Sequence, residues 1–377
     1  MPKRILQLDA VRGIAVLLVV LHNTAGKSPI PLIRPLIESG WMGVDLFFVL
    51  SGFLITGILL ETRDSQAYFT NFYARRCLRI WPLYYSLLFC LFVVLPWVQP
   101  SESALIFGPR SSPWWAYPLF LQNFLVADPA GALGLLGVTW SLAVEEQFYL
   151  AWPWVVRYCS ARQLRRITVL VICLSPLLRL YLSRHGVDTY SNLFCRLDGL
   201  MGGGLLAVAV RSENFRASRY TRAAWVAFLV AAPLAVLADL PGNRWFVHSL
   251  AAIAALSLVY LALFSEPGWF QAAMKNRFLI ATGTISYGIY LFHKIPFDLA
   301  KAEHLAGNPL FVTPAVFAIA FLLAALSWNL LEKPFLRLKK WFVAAERSCE
   351  PETRELEAPY LGDPGMPVAG TGLHRSA

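Results

Sequence analysis

Hydrophobic residues in this chain gather in blocks of about 20, the length an α-helix needs to cross a bilayer core. They neither alternate as in half-buried strands nor stripe one helix face. Ten such blocks run along the 377 residues, at 8–25, 40–60, 78–98, 136–156, 167–184, 192–210, 223–240, 246–264, 278–298 and 310–331. They predict an all-α, polytopic transmembrane helix bundle of about ten spans. The blocks at 136–156, 192–210 and 278–298 are the least uniform, because each carries charge. A shorter apolar stretch, 113–127, is expected to be interfacial or re-entrant. Beyond residue 345 the pattern lapses into Glu, Pro and Gly, so a membrane domain over 1–345 and a disordered cytoplasmic tail over 346–377 are expected.

Composition narrows the class. The chain is 57% hydrophobic and 15% charged, against about 25% charged in soluble domains, which excludes an ordinary soluble fold. A net charge of +10 raises the question of nucleic acid, but the basic residues form neither a stripe nor a tail. Taking alternate loops from the N-terminus, twenty fall on one side of the membrane and six on the other. The positive-inside rule puts the first set, and both termini, in the cytoplasm. Arg12 inside the first block, and no A-x-A exit, make that block a retained anchor rather than a cleaved signal. Six cysteines without a CxxC pair are expected to be reduced, with no metal site.

The chemistry lies where spans break the apolar rule. Span one holds Arg12 and His22, span two Asp45, span four Glu145 and Glu146, and span five Arg179. Span six holds Arg196 and Asp198, and span nine His293 and Lys294. An Arg, Lys or Asp at mid-bilayer costs about 2.5–3.5 kcal/mol on insertion scales, so these groups must face one another or a wet interior. Arg179 and Lys294 lie near helix ends and are expected to snorkel. Asp45 is either a buried pair fixing helix register or part of a site. Glu145 and Glu146 point about 100° apart, so one can face a cavity while the other pairs elsewhere. Arg12, Arg75, Arg76 and Arg79 sit at the cytoplasmic mouth. Their planar forks suit the phosphates of a donor whose reactive end reaches inward toward a histidine.

Several segments together resemble a known family. They are Leu8-Asp9-Ala10-Val11-Arg12-Gly13, Gly43-Val44-Asp45-Leu46-Phe47-Phe48-Val49-Leu50-Ser51-Gly52-Phe53, Ala74-Arg75-Arg76-Cys77-Leu78-Arg79, Trp140-Ser141-Leu142-Ala143-Val144-Glu145-Glu146-Gln147-Phe148-Tyr149, Arg196-Leu197-Asp198, Ile285-Ser286-Tyr287-Gly288-Ile289-Tyr290-Leu291-Phe292-His293 and Glu332-Lys333-Pro334-Phe335. In order over about residues 5–340, they resemble the acyltransferase-3 family of membrane O-acyltransferases, in its stand-alone form without an appended hydrolase-like domain. The resemblance implies a bacterial cytoplasmic (inner) membrane enzyme using acyl-CoA, often acetyl-CoA, as donor. It implies a carbohydrate or glycan acceptor and no permanently bound cofactor. It further implies His22 as the key histidine with Arg12 before it, Arg76 and Arg79 as the paired arginines, and Glu146 as companion. The family spaces that arginine and histidine one residue further apart, a position held here by Asn23. On a regular helix His22 is turned about 80° from Arg12 and Asn23 about 20°, unless a bulge restores the alignment.

The expected reaction has the histidine as general base on a sugar hydroxyl, with Arg12 or Ser51 steadying the oxyanion. A covalent acyl-histidine step is the other route. The alternative function is a transporter or flippase for an amphipathic solute, which also uses intramembrane charge but usually carries an internal repeat, not seen here.

Overall fold

Long apolar runs in a medium without water must satisfy their own backbone hydrogen bonds, and the helix does so within one segment. A computed structural model of the chain describes residues 5–24, 34–98, 112–125, 135–238, 245–302 and 309–342, and among them there is no strand. The predicted tail, 346–377, lies outside the described residues. The long helices are α1 (Leu6–Thr24), α2 (Met42–Glu61), α3 (Tyr68–Phe89), α4 (Thr139–Tyr158), α5 (Ala161–Arg184), α6 (Leu193–Ala209), α7 (Ala217–Ala238) and α8 (Val247–Phe264). The shorter α9 (Arg277–Thr284) and α10 (Ser286–Phe292) follow, then α11 (Pro309–Ser327). Helix α3 continues through a π turn, Cys90–Val94, to Val98, and α11 through a π turn, Trp328–Glu332, toward Phe342.

Among the described residues, seven helices are long and apolar enough to cross a membrane, namely α1, α2 with its lead-in turn, α3, α5, α7, α8 and α11. The other three predicted blocks are α4, α6 and the pair α9–α10. Each departs from the pattern for a visible reason. Helix α4 carries Glu145, Glu146 and Gln147, α6 is 17 residues long, and α9–α10 breaks at Ile285. Helices α4 and α6 also bring charge inside, as α1, α2, α3 and α5 do. The stretch from 113 is indeed no spanning helix. A 3-10 turn, Trp114–Ala116, leads through Phe120 at φ 54° to a short helix, Gln122–Leu125. Local capping follows the sequence: Ser160 and Gln163 form a capping box at α5, and the Asn192 and Asn276 side chains accept the first amides of α6 and α9.

Two differences from the sequence reading bear on the site. Helix α3 begins at Tyr68, well ahead of 78, so Arg75, Arg76 and Arg79 sit on its inner turns rather than on a loop. Aromatic and long-stemmed residues keep a helix going where the apolar pattern has not yet begun. Helix α1 is a continuous α-helix, so no bulge corrects the Arg12-to-His22 register.

Helix α2 is the hub, packed against α1, α4, α6 and α8. Its closest neighbour is α6, and glycine makes that approach possible. A Cβ built on Gly203 would lie 2.0 Å from the Val49 carbonyl oxygen, and one on Gly283 of α9 would lie 1.8 Å from that of Asp9 in α1. Neither backbone can give way alone. Gly203→Ala is therefore expected to destabilise the bundle by about 1–3 kcal/mol or more, as overpacking does. Gly202→Ala, whose Cβ meets nothing nearer than a Leu256 methyl at 3.8 Å, should leave stability unchanged. Melting temperatures of the two purified variants in detergent check the contrast.

Candidate active site

Five helices enclose a cavity of about 200 Å³. Helix α1 contributes Arg12, α2 Ser51, and α3 Arg76 and Arg79. Helix α4 contributes Ser141, Glu145 and Tyr149, and α10 contributes Ser286, Tyr287 and Tyr290. Ser141, Glu145 and Tyr149 recur every four residues, so they fall on one face of α4. The charged wall is three arginines against one glutamate. Apolar side chains such as Phe47, Phe48 and Leu142 fill the spaces between these polar groups.

Glu145 is fixed by the Ser51 hydroxyl, which donates to it, while the Tyr149 hydroxyl donates to Ser51 Oγ at 3.3 Å. Most helical hydroxyls here bond back to their own helix, as Thr24, Thr62, Thr168 and Ser257 do. Ser51 instead reaches across to α4. The Arg76 guanidinium lies 5.8 Å over the Tyr149 ring and 5.9 Å over Phe72, and its buried Nε has no hydrogen-bond partner. Arg12 is held by Asp9, one turn below, at 2.8 Å.

Glu146 sits elsewhere. It points toward α3, where the Trp81 indole donates to it at 3.4 Å, and it does not line the cavity. Of the adjacent pair, Glu145 is the one that lines the cavity together with Arg76 and Arg79.

A second polar layer ties α2, α5, α6 and α8 together. Arg196 bonds Asp45 at 3.0 Å, with His248 Nδ1 4.0 Å from the same carboxylate. The Arg196 guanidinium lies 5.6 Å from the rings of Phe48, Trp140 and Tyr190. Arg179 does not snorkel: it is 0% exposed and paired with Asp198 at 2.7 Å. Its Nε also donates to the Trp245 carbonyl at 2.7 Å, and its other nitrogens to Cys195 O and Ser249. Its place in the sequence suggested an interface, but an acidic partner one helix away makes the interior cheaper.

The predicted histidines lie past the upper end of the cavity. His22 is half-buried, its Cβ against the close-packed Gly40, and neither it nor Asn23 lines the wall. Asn23 bonds back to the Val19 carbonyl at 2.9 Å. His293 is 0% exposed, its Nδ1 2.7 Å from the Tyr290 carbonyl oxygen. Arg75 is on α3 but outside the wall. Ser141, Tyr149 and Tyr290 were missed as site residues, although all three stand in the segments quoted above. Projecting α4 at four-residue steps from Glu145 would have found the first two.

An interior cavity walled by arginines, a carboxylate and hydroxyls, inside a bundle of apolar helices, defines a membrane-embedded ligand site. The chain belongs to the acyltransferase-3 family, whose model, described as an acyltransferase domain, matches residues 5–330. It is 30% identical over 357 residues to Bacillus subtilis (strain 168) YrhL, named as a candidate peptidoglycan O-acetyltransferase, covering 87% of this chain and 54% of that one. It is 27% identical over 362 residues to the Listeria monocytogenes peptidoglycan O-acetyltransferase OatA, covering 88% and 56%. A Staphylococcus aureus (strain COL) protein named as a candidate O-acetyltransferase is 25% identical over 355 residues, covering 87% and 56%. The chain thus spans about half the length of the curated relatives it matches. No solved structure matches it significantly.

The two ion pairs of the second layer give a stability test. Arg179→Met leaves Asp198 buried and uncompensated, at an expected cost of about 3–5 kcal/mol. Arg179→Met with Asp198→Leu should recover much of that loss. Thermal unfolding of the single and double variants, read as a double-mutant cycle, measures the coupling.

Proposed function

We propose that the chain is a membrane O-acyltransferase that moves an acyl group, the acetyl of acetyl-CoA, to a hydroxyl of a carbohydrate or glycan. One observation carries this reading: a single cavity offers three arginines beside a run of hydroxyl and carboxylate groups. Three cations against one glutamate favour a polyanion, and guanidinium forks match phosphate oxygens two at a time. The relatives' names supply the acetyl group and the glycan class, and the intramembrane charges fit a reaction held inside the bilayer.

In this reading the bundle crosses a bacterial cytoplasmic membrane ten times, α4, α6 and α9–α10 included, with both termini in the cytoplasm as the basic loops require. Donor phosphates rest on Arg76 and Arg79, with Arg12 beside them. His22 is ten positions on from Arg12, with nine residues between them, about 15 Å of helix rise, a gap the pantetheine arm bridges. The thioester then lies near Tyr290 and the two histidines, half-buried His22 and buried His293. One imidazole takes the acceptor's proton as its oxygen attacks the thioester carbonyl, typically worth 10²–10⁴-fold. The carbon–sulfur bond breaks, and the thiolate recovers the proton. Glu145, not Glu146, balances the arginines at the donor end.

Acetyl-CoA should raise the melting temperature of the detergent-purified protein, since a ligand that favours the native state must do so. Arg76→Gln and Arg79→Gln should each weaken donor binding roughly tenfold or more, the value of a charged hydrogen bond. A wild type with no thermal shift at saturating acetyl-CoA would sink the donor assignment. A shift without any change in ester-linked acetyl on envelope glycans, in cells lacking and then regaining the protein, would move the acceptor out of the glycan class.

A further inference from the structure

His293 closes α10 and completes a stripe. Ser286, Tyr290 and His293 stand at i, i+4 and i+7, so they share one helix face. The first two line the cavity. The third does not line it but follows Tyr290 by three residues, about one turn further along the same face, and Ile289, one turn before it, shares a buried apolar cluster with Val16 and Val20 of α1. Its Nδ1 lies 2.7 Å from the Tyr290 carbonyl oxygen. A carbonyl can only accept, so Nδ1 carries the proton and Nε2 carries the lone pair. Nε2 is buried and has no hydrogen-bond partner. An imidazole kept only for packing would be matched at both nitrogens, because an unmet buried acceptor costs about 1–3 kcal/mol. This one is fixed at one nitrogen and left open at the other. The two histidines differ in register: His22 sits off the Arg12 face on an unbroken helix, against Gly40, whereas His293 follows the face of two cavity-lining residues.

We propose that His293 is the base that receives the acceptor's proton. The inference rests on the acyl-CoA transferase reading and selects between its two histidines. The acceptor O–H donates to Nε2, and its oxygen forms a bond to the thioester carbonyl carbon as the proton moves to the ring. The carbon–sulfur bond breaks, and the imidazolium returns that proton to the leaving thiolate. The products are the ester, free coenzyme A and neutral His293. The Tyr290 carbonyl serves as the orienting group: it fixes the tautomer and steadies the positive ring without a buried carboxylate. Ser141 and Tyr290, hydrogen-bonded to each other at the cavity wall, stand one turn below to meet the thioester.

The test compares wild type, His293→Gln and His293→Ala in cells lacking the native protein, at matched membrane levels. Two quantities are read: ester-linked acetyl released from envelope glycans by mild base, and the acetyl-CoA-induced melting shift of each purified protein. Glutamine fills similar space and keeps a hydrogen-bonding oxygen, but it cannot take a proton. Both variants are expected to keep the thermal shift and to lose ester formation by 10²–10⁴-fold. His293→Gln with ester near wild type would make the residue a hydrogen-bonding or packing group and overturn the proposal. Loss of the thermal shift together with ester would do the same, by placing His293 in donor binding or folding. A wild type that restores no ester refutes the transferase reading beneath it, a separate result.

Discussion

An ionised side chain inside a bilayer has to be answered by another group of the protein, because neither lipid nor bulk water is there to do it. That constraint organises this bundle more than hydrophobic burial does, since apolar helices gain little from meeting one another when lipid is equally apolar. Asp45 and Arg196 join α2 to α6, and Arg179 and Asp198 join α5 to α6. Once α6 is held at both faces, its glycines let it come to contact distance with α2. The close packing of α2 on α6 thus lies where an ion pair joins the same two helices.

The two buried arginines of this layer are satisfied to different degrees. Arg179 donates to two carbonyls, a carboxylate and a hydroxyl, and behaves as a closed structural fastening. Arg196 has Asp45 alone, with Nε and Nη1 unmatched and three rings around it. Aromatic faces partly replace the missing acceptors, since a desolvated guanidinium over a ring gains up to about 2 kcal/mol. The ring cage holds the second ion pair in place while spending no further acidic residue in the membrane.

Much of this was legible in the sequence, and the limits have physical causes. The helix blocks could be read because bilayer thickness imposes a length. The blocks that carry charge could be picked out as those turned inward, and α4, α6 and α9–α10 are the helices that miss the criteria for a span. What could not be read was pairing across helices. Arg179 looked like an interfacial residue until α6 placed Asp198 beside it. Which of the adjacent glutamates lines the cavity could not be read either, because the two differ only by a rotation that depends on how α4 sits against α2. The start of α3 was missed because its first turns are aromatic and basic, a pattern that hydropathy does not distinguish from a loop. The register of α1 was computed correctly from 100° per residue, and the regular helix keeps His22 off the Arg12 face.

The polar groups are also sorted along the cavity. Its charged members, Arg12, Arg76, Arg79 and Glu145, cluster with Ser51 and Tyr149, while Ser141 and Tyr290, at its other end, are neutral hydroxyls. Field strength in a low-dielectric interior falls with distance from the charges and with any polar group between. A ligand with an ionic head and a neutral tail is therefore oriented before any specific contact forms, with its head at the arginines. On the proposed transferase reading, the neutral end would host a bond exchange between uncharged groups, with a transient charge stabilised by hydroxyls and the neighbouring imidazole rather than cancelled by a fixed ion. A fixed carboxylate there would have been costly to bury and would have held its own counter-cation. On that reading the carbonyl-anchored imidazole of His293 would supply a lone pair one turn along α10 from Tyr290 without introducing a resident charge.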